Sequence, residues 1–259
     1  MSNISDSVSI FARDARLPEQ SGRGITSDGA EAAVLRFDPK IDQTLVLGPQ
    51  LFSFVQGITE ERRKMIAQSA LFASLVADAA FVREHVRAWH GAYAGSLQSL
   101  GWNLLGTVNH TFQRNEFNSE VHEAIIEFAA TIGIGQPALT ILTNSLKALK
   151  KVGNDQPWIT LFDRQVQCES LTGFKVGLVS PDENADLVVK LMSFDVQLEG
   201  GQTQVLFVKV QNLKIDLNSV GSTCTIAEDQ LKKAQPTLEK RLAAYITDYA
   251  AEVPLKART

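Results

Sequence analysis

Cysteine is scarce in this chain, with two in 259 residues, Cys168 and Cys224. That count excludes a disulfide framework; two thiols fit a reducing compartment, with a single bridge left open. Histidine is scarce too, and its four positions, His85, His90, His110 and His122, fall in no metal-binding pattern. His85 and His90 are five apart on a helical stretch and point to different sides, unlike the i, i+4 pair of a zinc helix. Cys-x-x-Cys and Glu-x-x-His strings are missing, so no metal is expected. An excess of basic residues is also lacking: 25 Lys and Arg stand against 29 Asp and Glu, for a net charge of −4. A phosphate-backbone binder needs a strong basic face, so nucleic acid is not an expected partner.

Targeting signals are equally sparse. The opening Met1-Ser2-Asn3-Ile4-Ser5-Asp6 lacks a basic region followed by an apolar run, so a cytoplasmic location is expected, with signal-independent export left open. The longest charge-free span, Phe128–Leu146, has nineteen residues but is interrupted by Gly133, Gly135, Pro137 and Asn144. Those interruptions predict two buried helices joined by a tight link in place of one spanning helix.

What is present is apolar patterning. Hydrophobic residues make up 44% and charged ones 21%, the balance of a globular protein able to bury a large core. Residues 1–30 have turn-rich strings and no traceable period, and read as a flexible N-terminal lead. Residues 31–259 read as one α+β domain: a helical part over about 58–153, a sheet over about 157–226 and a C-terminal helix over about 227–251. Thr59 is an N-cap candidate with Glu60 and Glu61 in the first turn. Apolar residues then recur at helical spacing from Met65 to Ala79 and again from Val82 to Leu100, where Gly101 closes the stripe. Residues 103–118 are ambiguous between strand and loop. Ser119 offers the next N-cap, Pro137 suits the first turn of a following helix, and Pro236 is expected to break or kink the last one.

The sheet is predicted as a four-stranded antiparallel meander: Ile159–Cys168, Leu171–Ser180, Asp186–Leu198 and Gln204–Leu217, joined by links too short for parallel crossovers. Phe174, Val176 and Leu178 alternate with Lys175 and Gly177, which predicts one buried face. In the fourth run the apolar parity switches after Val210, so a bulge near Gln211-Asn212 is expected. The N-terminal helices pack on this sheet and the C-terminal helix closes it.

Three sets of residues carry candidate chemistry. Gly133-Ile134-Gly135-Gln136-Pro137-Ala138 matches a relaxed dinucleotide-binding string, with Asp163 as the acid for a ribose hydroxyl. The preceding run reads as helix, and Asp163 lies further on than such a fingerprint expects, so a plain helix–helix link is preferred and no cofactor is expected. Cys168 beside Glu169, with His110 as a distant base, is a second candidate. Nearby Asp163 and Glu169 supply the reverse of the electropositive setting a reactive thiol needs. Lys147, Lys150, Lys151, Lys232, Lys233, Lys240 and Arg241 compensate helix dipoles. Catalytic residues therefore number none, and the reading leans away from an enzyme.

Leu75-Val76-Ala77-Asp78, Trp89 with Tyr93, and Leu100-Gly101-Trp102, followed by Phe174–Ser180, Leu191–Phe194 and Gln204–Phe207, resemble a family of uncharacterised bacterial and fungal soluble proteins. The resemblance implies an N-terminal helical layer followed by an antiparallel sheet. The family has no established activity, so no site residue follows from it. The function expected first is a non-enzymatic binding or self-associating protein, its partner another copy or another protein. The alternative is a membrane-active or host-directed, toxin-like virulence factor that exposes the apolar 125–146 hairpin; a nucleotide-dependent enzyme using Gly133 and Gly135 comes third.

Overall fold

Strands Gln50–Phe54 and Thr172–Pro181 lie side by side in parallel, with 117 residues of chain between them. That pairing is the key to the fold. The structure, a computed structural model, describes residues 4–19, 36–81, 85–151, 172–181, 186–198 and 205–253. In chain order they give α1 (Ile4–Asp14), β1 (Gln43–Leu47), β2 (Gln50–Phe54), α2 (Glu60–Ala80), α3 (Val86–Ser99), β3 (Trp102–Phe112), α4 (Val121–Thr131) and α5 (Gln136–Lys151). Then come β4 (Thr172–Pro181), β5 (Leu187–Val196), two single 3-10 turns (Val205–Phe207 and Val210–Asn212), β6 (Leu217–Ile226), α6 (Glu228–Leu242), α7 (Ile246–Tyr249) and β7 (Ala250–Val253).

The α+β class holds, but the four-stranded meander does not. Seven strands form one mixed sheet in the order β3-β6-β5-β4-β2-β1-β7, antiparallel except for β2 with β4. Only β4, β5 and β6 follow one another as a meander. Within the stretch expected as the fourth strand, 204–217, the described residues form the two 3-10 turns Val205–Phe207 and Val210–Asn212, and Leu217 opens β6. Val205, Leu206, Val210 and Leu213 are all buried there, packed with α4 and α5 on the second face of the sheet. The expected strand over 159–168 lies outside the described residues. β1 and β2 lie ahead of the helical part, where no strand was expected, and the ambiguous residues after Asn103 form β3.

Both sheet faces are covered. On one face Leu45, Leu47, Phe52, Phe54, Val179, Val189 and Leu191 meet α2, α3 and α6, with α1 outside them. On the other, Val46, Leu51, Phe174, Val176, Leu178, Met192, Phe194 and Val196 meet α4, α5 and the 3-10 turns. The one-faced sheet expected from alternation in β4 is thus corrected. Its polar and glycine positions face the first layer because a helix or a ring lies directly on them. A Cβ on Gly177 would overlap the Phe52 ring, and one on Gly173 would come within 2.8 Å of His90.

Local signals explain the helix ends. Thr59 Oγ1 accepts from the Arg62 N–H at the start of α2, and Gly101, at φ +89°, ends α3 in the left-handed region. α4 is capped one residue later than expected: Glu120 is the N-cap, and Glu123 Oε2 accepts its N–H at 2.9 Å. The lead that read as flexible contains α1, whose Val8 and Ala12 are buried while Arg241 donates to the carbonyls of Ala12 and Arg13. α6 runs through Pro236 without ending. Leu231, Ala234, Leu238 and Leu242 are buried along it, and that packing outweighs the one hydrogen bond proline removes.

The glycines give a direct test. Gly177→Ala should cost about 1–3 kcal/mol by pushing the Phe52 ring out of place. Gly91→Ala, which meets nothing within 4 Å on α3, should stabilise by about 0.5–1 kcal/mol. Urea midpoints at unchanged m-value would read both.

Candidate functional site

The residues that stand out physically are charged groups in the core. Lys175 sits mid-strand in β4 and points at α3 with 2% of its surface exposed. An isolated buried ammonium costs several kcal/mol. Here it has two hydrogen-bond acceptors and two aromatic faces around it. Nζ lies 2.8 Å from His90 Nδ1 and 2.7 Å from Ser193 Oγ. It also sits over the faces of Tyr93 and Trp89, at 4.5 Å and 5.3 Å from the ring centres. When Lys175 is charged it can only donate, so His90 Nδ1 then accepts and the imidazole proton resides on Nε2. Nε2 then donates to Asp195 Oδ1 at 3.0 Å. A cation and an anion are linked through a neutral ring, with no net charge left in the core.

The surroundings shift both bases downwards. Burial, opposed by Asp195, brings the Lys175 ammonium down to about 7. Burial and then the positive Lys175 bring His90 down to about 4, against the pull of Asp195. Tyr93, stacked on Trp89, donates to Gln50 Oε1 at 2.6 Å, and Gln50 in turn donates to the carbonyls of Leu47 and Ala70. Trp89 Nε1 donates to Asp78 at 2.8 Å. α3 is therefore bolted to β2, β4, β5 and α2 by directional bonds. Lys175 is buried and its Nζ is engaged by His90 and Ser193, so the cluster is suited to holding two layers together.

A second buried cation does the same for α2. Arg63, fully buried, donates to the carbonyls of Ile58, Ile41 and Val55 and to Gln43 Oε1. Trp102 Nε1 on β3 donates to Ser69 Oγ on α2.

The α4–α5 layer is built differently. α4 buries Val121, Ala124, Ile125, Phe128 and Ala129; α5 buries Ala138, Ile141, Leu142 and Leu146. Glu123 and Glu127 on α4, and Thr140, Asn144, Lys147 and Lys150 on α5, are exposed. Gly133, at φ +71°, and Gly135 turn the chain between the two helices. Thr44 Oγ1 and Ser145 Oγ, 2.8 Å apart, are the buried polar tie from this hairpin to the sheet among the described residues. An exposed pair, Lys150 with Glu120, joins the hairpin's own ends.

The sequence candidates distribute as follows. Gly133 and Gly135 lie in the α4–α5 turn, after a helix and not after the strand a dinucleotide fold requires. Ala138 is buried against the sheet side of α5. Asp163 and Cys168 fall outside the described residues. Cys224 is buried on β6, and burial pushes its thiol up to about 12. His122 is buried at the start of α4, 3.1 Å from Glu120; His110 is exposed on β3 with its ring over Phe112. The histidines converge nowhere, and among the described residues no three His, Cys, Asp or Glu could hold a metal ion. Alternation in β4 put Lys175 on the face away from the core, and the spacing of His90 gave it no partner. A usable signal was present: Gly173 and Gly177 flank Lys175 on its own face, and paired strand glycines mark a close approach from above.

No protein-family model matches the chain, and neither does any curated protein. Solved structures similar to it include a delta-endotoxin, 15% identical, with 79% of this chain and 90% of that one covered at a TM-score of 0.40. The Evf virulence factor is 14% identical, with 74% and 76% covered at 0.35. The activated Cyt2Ba monomer from Bacillus thuringiensis subsp. israelensis is 14% identical, with 51% and 78% covered at 0.31. Similarities this distant leave the function to be read from the chain's own residues.

The His90 geometry has a pH signature. The unfolded chain takes up a proton at this ring near its ordinary 6.5 and the folded chain only near 4. The share of stability that depends on His90 is therefore complete above 6.5 and falls as pH drops through that window, by up to about 3 kcal/mol, less the share relieved by water at the His90 rim, while Lys175, lowered to about 7, adds a separate rise at higher pH. His90→Gln should flatten the slope between those limits. Urea unfolding at a series of pH values would check it; equal slopes for both proteins would contradict the assignment.

Proposed function

We propose that the chain is a membrane-active protein whose α4–α5 hairpin leaves the sheet and inserts into a lipid surface. The observation that carries this reading is the unequal chemistry of the two helical layers. Buried side chains such as Ile125, Phe128, Leu142 and Leu146 each contribute about 1.5–3 kcal/mol by leaving water. Lipid chains are as apolar as leucine, so this contribution carries over to a bilayer almost unchanged. Hydrogen bonds and buried ions do not carry over. The α2–α3 layer, held by Arg63 and by Lys175 with His90, would forfeit its ties on leaving the sheet. The hairpin gives up the Thr44–Ser145 hydroxyl pair and, at the start of α4, the backbone bonds from the Val121 N–H to the Val208 carbonyl and from the Val210 N–H to the Ser119 carbonyl, but no buried ion.

Hairpin geometry supports the same reading. α4 and α5 are consecutive and joined by a glycine turn, so they can move as one unit. No helix among the described residues is long and apolar enough to cross a membrane. α5, with one apolar face and with Lys147 and Lys150 exposed, suits lying in the headgroup plane of an anionic bilayer. This reading takes precedence over a nucleotide-dependent enzyme, because the Gly133 string is used as the hinge of that hairpin.

A crosslink tests it. With both hydroxyls replaced, Thr44→Cys with Ser145→Cys places two thiols close enough to bridge across the hairpin–sheet contact. The oxidised variant should lose flotation with anionic liposomes and dye release from them, and reduction should restore both. Equal activity in the oxidised and reduced forms, or a wild type that ignores liposomes at neutral and acidic pH, would end the proposal.

A further inference from the structure

The two edges of the sheet are not alike. One is β7, four residues long; the other is β3, with eleven. A free strand edge offers unpaired N–H and C=O groups and templates pairing with another chain, which proteins ordinarily suppress with charge, proline or shortness. β3 has none of these. From Trp102 to Phe112 it contains no Asp, Glu, Lys, Arg or Pro. Residues 105–111 are exposed throughout, and Leu105 and Val108 are 52% and 44% exposed.

The bulge in β3 decides how those side chains line up. The pairing with β6 skips one residue between Leu105 and Thr107, and the extra residue is Gly106 at φ +62°. Without the skip, Leu105 and Val108 would face opposite ways. With it, Leu105, Val108 and His110 all point to the face that Phe112 and Phe128 occupy, and the His110 ring packs on both of these. The bulge therefore makes a row of apolar and aromatic groups along an open edge.

We propose that β3 pairs antiparallel with β3 of a second copy of this chain, making one continuous sheet across a two-fold axis. A register centred on Val108 sets each Val108 against its counterpart. With Gly106 as the extra residue, it also sets Leu105 of each copy against His110 of the other. The row is then self-complementary, and no like charges meet in it, as they would in most strands paired with themselves. Among the described residues each copy has a single long edge, so the contact is isologous and closes at two copies without growing into a fibre. Strand pairing alone buries a small area, so the dimer is weak, forming between micromolar and submillimolar protein.

The test uses charge at the two-fold centre, on the full-length chain. Sedimentation velocity of the wild type should show the mass doubling as concentration rises through that range. Val108→Lys and Val108→Glu each place like charges face to face and should sediment as monomers, with far-ultraviolet circular dichroism unchanged. An equimolar mixture of the two should recover the dimer. A wild type that stays monomeric, a dimer that survives in either variant alone, or a mixture that stays monomeric would each overturn the pairing. None of these readouts involves lipid, so this inference and the membrane reading stand or fall separately.

Discussion

A sheet that is apolar on both faces cannot stop at one cover, and that requirement organises this molecule. Phe174, Val176 and Leu178 point one way from β4 while Lys175, Gly177 and Val179 point the other, and both sets are in the interior. Between β2 and β4 the chain therefore lays α2 and α3 on one face, forms the far edge as β3, and returns over the other face as α4 and α5. The circuit brings it back beside its starting strand in the same direction. The parallel pairing of β2 with β4 follows from wrapping a two-faced core with one chain.

The covers differ in what they would give up on separation. Arg63 and Lys175 are cations that no apolar solvent would accept, and each is satisfied only by the arrangement it now has. Removing one partner from such a group costs more than the bond itself, because a buried charge is left unmatched. The α4–α5 cover depends on area, which any apolar phase can replace. Of the two, the area-bound layer is the one a bilayer can compete for. Acid loosens the other layer at His90, so the two halves of the protein also answer to different conditions.

The site residues were the least legible part of the chain. Lys175 alternates with apolar neighbours as any solvent-facing lysine would. Only α3, which brings Trp89, His90 and Tyr93 over Lys175 and sets the His90 ring against Gly173, converts that position to core. Pro236 likewise reads as a helix break until the burial of Leu231, Leu238 and Leu242 shows what holds α6 together across it.

The sequence by itself determined the local elements whose signals lie within a few residues: the Thr59 cap, the helices at period 3.6, the Gly133 turn with Pro137 after it, and strands β4 and β5. It also set the α+β class, through the mixture of two periods in one chain. Tertiary structure alone decided the partnership of β2 with β4, the edge position of β3, the 3-10 path of 205–212, and which polar residues are buried. Alternation in a strand reports that its two faces differ, but not what lies against either one. That depends on contacts between residues a hundred positions apart, and no short window of sequence contains them.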